Sequence, residues 1–395
     1  MNRPTLVVSG DFVKTGGMDR ANYALADHLA RRGDELHLAA YRVAPEILDR
    51  PNVRLHASRK PLDSYTLGRP FLDRLGRRVA SELAPRGGRV VVNGGNCLWG
   101  DVNWVHHLNV LDVPRPAGTV LRRAKTTLDY HLHRRAERRS LEIARVLITT
   151  CEKNRDDLVA QFGLPADRIE VVYYGTDPDS FRPPAPGERE AVRASLGWDP
   201  SRPTYLFVGA LGDDRRKGFD TLHSAWSRLC ADPSWDVDLV VVGDGAERAD
   251  WVARTAEAGL SDRIRFLGFR RDVPELFRAA DAHVLPSRYE GYSLVTQEAL
   301  CTGLPAFVTA TAGIAERFRG ALAEGLLIPD PDDAAGLAAR LLAWRRGASA
   351  EPTRTAIAEF AAELRAWTWG RMAAKMAEII DRPVVAGSRP EPVSA

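Results

Sequence analysis

Long apolar runs are missing from this chain of 395 residues. No stretch approaches the roughly 20 apolar residues that a membrane-spanning helix needs. Met1 to Phe12 hold one short apolar run, Leu6 to Val8, without a small-residue cleavage pattern, so no signal peptide is expected. Cysteine is scarce: Cys97, Cys151, Cys230 and Cys301 lie far apart, and neither a zinc site nor a disulfide framework follows from them. That usage fits a reducing cytoplasm. Only six of the 55 basic residues are lysine. An excess of one charge is also missing. The formal net charge is +3, which argues against a dedicated nucleic-acid binder. No Asp-x-Asp pair stands in a setting that suggests a metal, and no cofactor is expected.

What is present suits two average-sized α/β domains, since 45% of the residues are hydrophobic. Thr5-Leu-Val-Val-Ser reads as a strand. Lys14-Thr-Gly-Gly-Met then leads into a helical pattern through Ala21, Leu25 and Leu29. Gly33 is placed to end that helix, and Glu35 to Ala40 reads as the next strand. Thr204-Tyr-Leu-Phe-Val-Gly opens a second such unit. It continues through Lys217-Gly218, a helix from Phe219 to Leu229 and a strand from Val237 to Val242. Each βαβ unit predicts the start of a parallel, doubly wound sheet that binds ligands at the carboxyl ends of its strands. Between them, Phe181-Arg-Pro-Pro-Ala-Pro-Gly reads as an interdomain linker. The expected domains are residues 1–180 and 200–365, with a terminal helix over 366–385 and a disordered proline-rich tail from Ser388 to Ala395.

The most informative segment is Pro286-Ser-Arg-Tyr-Glu-Gly-Tyr-Ser-Leu-Val-Thr-Gln-Glu-Ala-Leu. Val284 and Leu285 end a strand, and Gly291 is expected to form a tight turn. A helix follows from about Ser293, its expected N-cap, to Thr302, with Gly303 as its stop. Such a strand-turn-helix aims free N–H groups and the positive end of a dipole at an anion. Glu298 shares a face with Leu294, Val295, Cys301 and Thr302. A carboxylate there must find a partner, either an arginine or a diol such as a ribose. Glu290 stands at the mouth of the same pocket.

Glu290-Gly-Tyr-Ser-Leu-Val-Thr-Gln-Glu resembles the E-x7-E element of retaining GT-B glycosyltransferases, family 4 in particular. The likeness extends to Arg265-Phe-Leu-Gly-Phe, Val273-Pro-Glu-Leu-Phe-Arg-Ala-Ala-Asp, Gly303-Leu-Pro-Ala and Ile169-Glu-Val-Val-Tyr-Tyr-Gly-Thr-Asp. It implies two Rossmann-like, doubly wound parallel-sheet domains facing a cleft. The second would hold a nucleotide-sugar donor, and the terminal helix at Trp369 would cross back to the first. On this resemblance Glu298 holds the donor ribose, Glu290 orients the sugar, and Gly291, Tyr292, Ser293 and Leu294 cradle the diphosphate. Lys217 neutralises the leaving phosphate, while Phe269 and Arg270 lie near the base. The family places an arginine directly after the glycine ending the first strand of this domain. Here Gly209 is followed by Ala210, and Arg216 is the expected substitute, with Arg215 beside it.

In the first domain, Gly16 and Gly17 match the family's glycine-rich loop. Val102-Asn-Trp-Val-His-His ends in two histidines that point to opposite faces of a strand. His106 is the favoured contact to the donor sugar, with His107 as its alternative. Asn93, Asn96 and His107 are the expected acceptor contacts. Family habit favours a UDP-sugar donor, with GDP-mannose next, and the acceptor class stays open among glycan, lipid-linked and small-molecule hydroxyls. A nucleotide-sugar epimerase of the same fold, or a catalytically silent binding subunit, is the alternative.

From Arg122 to Arg145 basic residues crowd one segment, opposed by Asp129, Glu137 and Glu142. This is either a solvated helix face laced with ion pairs or a surface for an anionic lipid or acceptor. The second option would place a cytoplasmic enzyme peripherally on the inner membrane face.

Overall fold

The computed structural model describes residues 3–111, 113, 119–347 and 350–383, and only the backbone of Arg122 and Ala350. The tail from Ser388 to Ala395 lies outside the described residues. Two compact units form. The first takes the chain up to Val113, Lys125–Gly175 and the segment from Trp367 onward; the second is built on Thr176–Ala366.

The first unit is a seven-stranded parallel sheet. Its strands are β1 (Thr5–Val8), β3 (Leu36–Ala40), β5 (Val53–Ala57), β6 (Arg89–Asn93), β7 (Val102–Val105), β8 (Val146–Thr149) and β9 (Ile169–Val171). They lie in the order β5-β3-β1-β6-β7-β8-β9. Two short strands, β2 (Asp11–Phe12) and β4 (Arg42–Val43), pair separately. β1, β3 and β6 are buried along their whole length, as near-continuous apolar runs must be when helices cover both faces. The helix Gly17–Arg32 buries Ala21, Leu25 and Leu29 and ends at Gly33 (φ 88°), whose N–H reaches the Ala30 carbonyl. The last helix, Trp369–Asp381, lies against it, with Arg32 paired to Asp381 at 2.7 Å.

The second unit is a six-stranded parallel sheet of β10 (Thr204–Val208), β11 (Asp238–Val242), β12 (Ile264–Gly268), β13 (Ala282–Leu285), β14 (Ala306–Thr309) and β15 (Leu327–Ile328). The order β12-β11-β10-β13-β14-β15 reverses direction between β10 and β13. Open α/β sheets bind ligands at such a switch point. Edge-to-face rings of Tyr205, Trp226 and Trp235 pack beside the sheet, and Phe219 meets Phe207 and Phe266 in the same way. Here one expectation fails. The proline-rich run from Phe181 is no free linker: Phe181 is buried against Phe277, and Arg182 is tied to Glu188. The chain changes units earlier, between Gly175 and Thr176, because an apolar ring and an ion pair outweigh the composition.

Candidate active site

At the switch point, the loop after β10 and the loop after β13 meet. Lys217 Nζ donates to Glu290 Oε1; their side chains are 19% and 11% exposed. Ser287 Oγ donates to the same oxygen at 3.1 Å. Burial alone would raise the Glu290 pKa. The charges of Lys217 and Arg216, with the hydrogen bonds from Lys217 and Ser287, outweigh it and hold the carboxyl below its usual range. Glu290 is therefore an anion at neutral pH.

Three features hold the loops together. Gly218 has φ +68°, and a Cβ there would lie 1.9 Å from the Pro286 carbonyl oxygen, so only glycine lets the two loops touch. Arg288 forks onto Asp220 with two 2.8 Å bonds and reaches Asp332 at 2.7 Å. It also donates to the Arg215 carbonyl at 2.5 Å. Beyond Glu290 the backbone is clamped by the next loop: Gly313 donates to the Glu290 carbonyl and Ile314 to that of Tyr292.

The helix Leu294–Cys301 starts here, with Ser293 at its N-cap. Ser293 is left-handed (φ 82°, ψ 73°). For a residue with a side chain that conformation costs roughly 1–3 kcal/mol. Two details of the sequence reading are corrected. Gly291 is not the residue with positive φ, and Ser293 does not cap through its hydroxyl, which bonds Thr296 Oγ1 at 2.8 Å instead. The start of any helix leaves N–H groups without intrahelical partners and favours anions. Glu298, four residues after Leu294 on this helix, is 9% exposed.

Arg216 lies near enough to lower the Glu290 pKa, whereas Arg215 (φ 52°) turns toward Glu247 at 3.5 Å. Phe269, at the carboxyl end of β12, is 65% exposed. Arg270 beside it is engaged by Asp272, with Nε to Oδ1 at 2.7 Å.

The first unit places its expected site residues differently. Gly16 (φ 82°) and Gly17 do form the turn into the first helix. His106, however, is buried, and both ring nitrogens are engaged: Nε2 with Asn93 Nδ2 at 2.8 Å and Nδ1 with the Tyr174 hydroxyl at 2.6 Å. An Asn93 amide that donates makes Nε2 the acceptor and leaves the proton on Nδ1. Burial, and secondarily the charge of His107, push His106 down to about 3. Asn93 also donates to Asn22 Oδ1 at 2.7 Å, and Asn22 to Ser9 Oγ at 2.8 Å. His106 and Asn93 thus belong to one buried polar chain, in which the Asn93 Oδ1 is left without a hydrogen-bond partner. His107 and Asn96 are half-buried. Among the described residues, no three His, Cys, Asp or Glu side chains gather as a metal site would require.

Comparison with known proteins identifies the family to which the chain belongs. The family model described as "Glycosyl transferases group 1" matches residues 202–344, and "Glycosyltransferase Family 4" matches residues 15–180. A D-inositol 3-phosphate glycosyltransferase of Mycobacterium sp. (strain KMS) is 30% identical over 78% of this chain and 74% of its own length. The chain belongs to glycosyltransferase family 4 of group 1. A D-inositol 3-phosphate glycosyltransferase of Xylanimonas cellulosilytica is 29% identical, covering 92% of this glycosyltransferase and 91% of the relative. The crystal structure of WaaG, a glycosyltransferase involved in lipopolysaccharide biosynthesis, superposes with a TM-score of 0.74 at 23% identity over 96% of this chain and 99% of that one. The Anabaena protein Alr3699/HepE in complex with UDP-glucose gives 0.67 at 18% over 95% and 98%. These likenesses fix the fold as GT-B.

Sequence reasoning missed several residues that shape the candidate site: Ser287, Arg288, Gln297 and Arg317. Arg288, in the loop after β13, and Asp220, at the start of the helix Phe219–Cys230, meet only in the fold, so spacing gives no sign of them. Gln297 is fully buried beside Glu298, and a buried amide must have partners, but that burial is seen only in the structure.

Proposed function

We propose that this glycosyltransferase takes its sugar from a nucleoside diphosphate donor held on the second unit and passes it, with retention at the anomeric carbon, to a hydroxyl of the acceptor. The observation that carries the reading is the Lys217–Glu290 pair at the strand-order switch, beside the start of the Leu294–Cys301 helix. A departing diphosphate needs positive charge in a partly dry site. Lys217, Arg216 and the N–H groups from Ser293 onward supply it. On donor binding, Lys217 turns from Glu290 to phosphate, and the freed carboxylate accepts hydroxyls of the sugar. Glu298 takes the ribose diol, and exposed Phe269 gives the base a flat apolar face. Glu290 orients the sugar from the side, so a front-face route, with the diphosphate assisting deprotonation of the acceptor, fits better than a covalent intermediate.

UDP-sugars are the first donors to test, since Alr3699/HepE of the same fold was crystallised with UDP-glucose. Relatives named for D-inositol 3-phosphate and for 2-deoxystreptamine favour a hydroxyl-bearing ring as acceptor. Incubation with UDP-, GDP- and ADP-sugars, read by released nucleotide, tests the donor class. Proton NMR of the first product tests retention, and turnover that persists in EDTA is expected. Release from none of the donors, with or without polyol acceptors, would sink the reading.

A peripheral contact with an anionic membrane is also proposed for the first unit. It rests on exposed Leu67 and Phe71 in the helix Tyr65–Leu83 and exposed Leu128 and Leu132 in the helix Val120–Ile143, with Arg135 and Arg139 exposed nearby.

A further inference from the structure

Ser293 is left-handed without being glycine, and its hydroxyl spends itself on Thr296 and not on the helix end. Something other than Ser293 must hold that backbone. Tyr292, immediately before it, is 2% exposed. Its hydroxyl donates to Gln297 Oε1 at 2.6 Å, and Gln297 is wholly buried. The bond therefore bridges the left-handed residue, from the turn to the helix that the turn starts. The same hydroxyl accepts from Arg317 Nη1 at 3.2 Å. Arg317 closes the segment Gly313–Arg317, whose other end already clamps the Glu290 and Tyr292 carbonyls through the Gly313 and Ile314 N–H groups. Arg317 is anchored in turn by Glu363 at 2.6 Å, on the helix Ala350–Ala366. Two residues on, Arg365 donates to the Cys301 carbonyl at 2.7 Å, at the far end of the Leu294–Cys301 helix.

We propose that Tyr292, Gln297 and Arg317 form a positioning staple that holds Ser293 left-handed, and so keeps the helix N–H groups and Glu298 aimed at the donor. The staple rests on the donor reading above. None of its three polar groups touches the reacting atoms; each acts through the backbone of Ser293. Without the hydroxyl, Ser293 relaxes toward negative φ, which turns the first N–H groups of the helix away from the phosphates. Buried Gln297 and half-buried Arg317 also lose a partner, which favours that relaxation. Glycine at 293 would need no staple, because it occupies positive φ freely.

Titration calorimetry with UDP and GDP on the full chain tests this, with donor KM and kcat alongside. Tyr292→Phe, which removes one oxygen, is expected to weaken binding of whichever diphosphate the wild type takes by about tenfold. Donor KM should rise in step, with kcat nearly unchanged. Gln297→Met, close in volume, should give a similar loss. Placing Ser293→Gly in either background should recover most of the lost affinity. A merely structural defect would lower the folded, active fraction and so kcat, with donor KM unchanged, whereas the staple predicts a KM rise at nearly constant kcat. If Tyr292→Phe binds like wild type, or glycine at 293 restores nothing, the staple is wrong while the donor reading stands. If the wild type binds neither diphosphate nor any donor nucleotide, the donor reading falls and takes the staple with it.

Discussion

Glu290 and Lys217 answer each other's charge in a site only partly open to water, which makes each costly to remove alone. Taking one partner from a buried ion pair strands the other and typically costs about 3 kcal/mol or more. Glu290→Gln and Lys217→Met should therefore each lower stability in urea. The double variant should recover much of that loss, since no charge is left stranded. Turnover should behave differently. Each single variant is expected to lose at least about a hundredfold, as for other groups that stabilise developing charge, and the double variant should recover none of it. Stability and turnover recovering together would mean that the pair is structural only.

Histidines make a second prediction at this scale. His106 and His283 are buried in different units, and burial lowers each to about 3. In the unfolded chain both titrate near the ordinary value of about 6.5. Above that pH neither state is charged and stability is unaffected. Between about 6.5 and 3 the unfolded state binds the protons, so stability falls with pH by about 1.4 kcal/mol per unit for each histidine. Urea unfolding at pH 7 and pH 5 should show that loss, and His283→Leu should shrink the difference by about 2 kcal/mol. An unchanged difference would show that His283 does not titrate as its burial demands. Because the Glu290 carboxyl is held below its usual range, its ion pair should still be intact at pH 5, where the fold has already begun to weaken.

Elements were legible in the sequence where local chemistry decides them. The apolar runs of β1 and β10 read as strands, and Gly33 and Gly303 marked where helices stop. What stayed hidden depends on partners far along the chain. The backbone of Ser293 is set by Tyr292, Gln297 and Arg317, and the run at Phe181 is captured by Phe277. His106 read as a strand-end histidine, yet Asn93 and Tyr174 close over it. The Val120–Ile143 helix is a mixed case. Its arginines are largely exposed, as the charge pattern implied, and Arg138 pairs with Glu142 at 2.9 Å. Glu137, expected to oppose those arginines, is instead buried and accepts from the Asn109 N–H groups. One carboxylate is thus withdrawn from the surface and the exposed face is left more basic. Thr66 Oγ1 meets His133 Nε2 at 3.2 Å, which sets Leu67 and Phe71 of the neighbouring helix close to that face. Vesicles containing anionic phospholipid should therefore sediment with the protein, and neutral vesicles should not. Arg135→Glu with Arg139→Glu should abolish the effect, and so should physiological salt if charge alone carries it. Binding that ignores both charge reversal and lipid charge would remove the membrane contact from consideration.

At the scale of the whole molecule, the first unit is completed by the end of the chain. The helix Trp369–Asp381 packs on the Gly17–Arg32 helix and buries Met372, Met376, Ile379 and Ile380 completely. Trp367 Nε1 donates to the Tyr173 carbonyl at 3.0 Å, and Arg382 pairs with Glu170, so the segment is also pinned by polar contacts. Burying a side chain of that size is worth about 1.5–3 kcal/mol, so the four together supply roughly 6–12 kcal/mol. A typical domain is stable by only about 5–15 kcal/mol in all. The first unit should therefore not survive the loss of this helix, although every strand of its sheet would remain. The second unit keeps its own sheet, including the Lys217–Glu290 site. A chain ending at Ala366 should accordingly show early hydrogen exchange throughout β1, β3 and β6, with β10, β11 and β13 still protected. Added nucleotide should further protect only the second group, since a ligand stabilises what it binds folded. Full protection of β1 and β6 in the shortened chain would mean that the first unit carries its own stability and that the terminal helix merely rests on it.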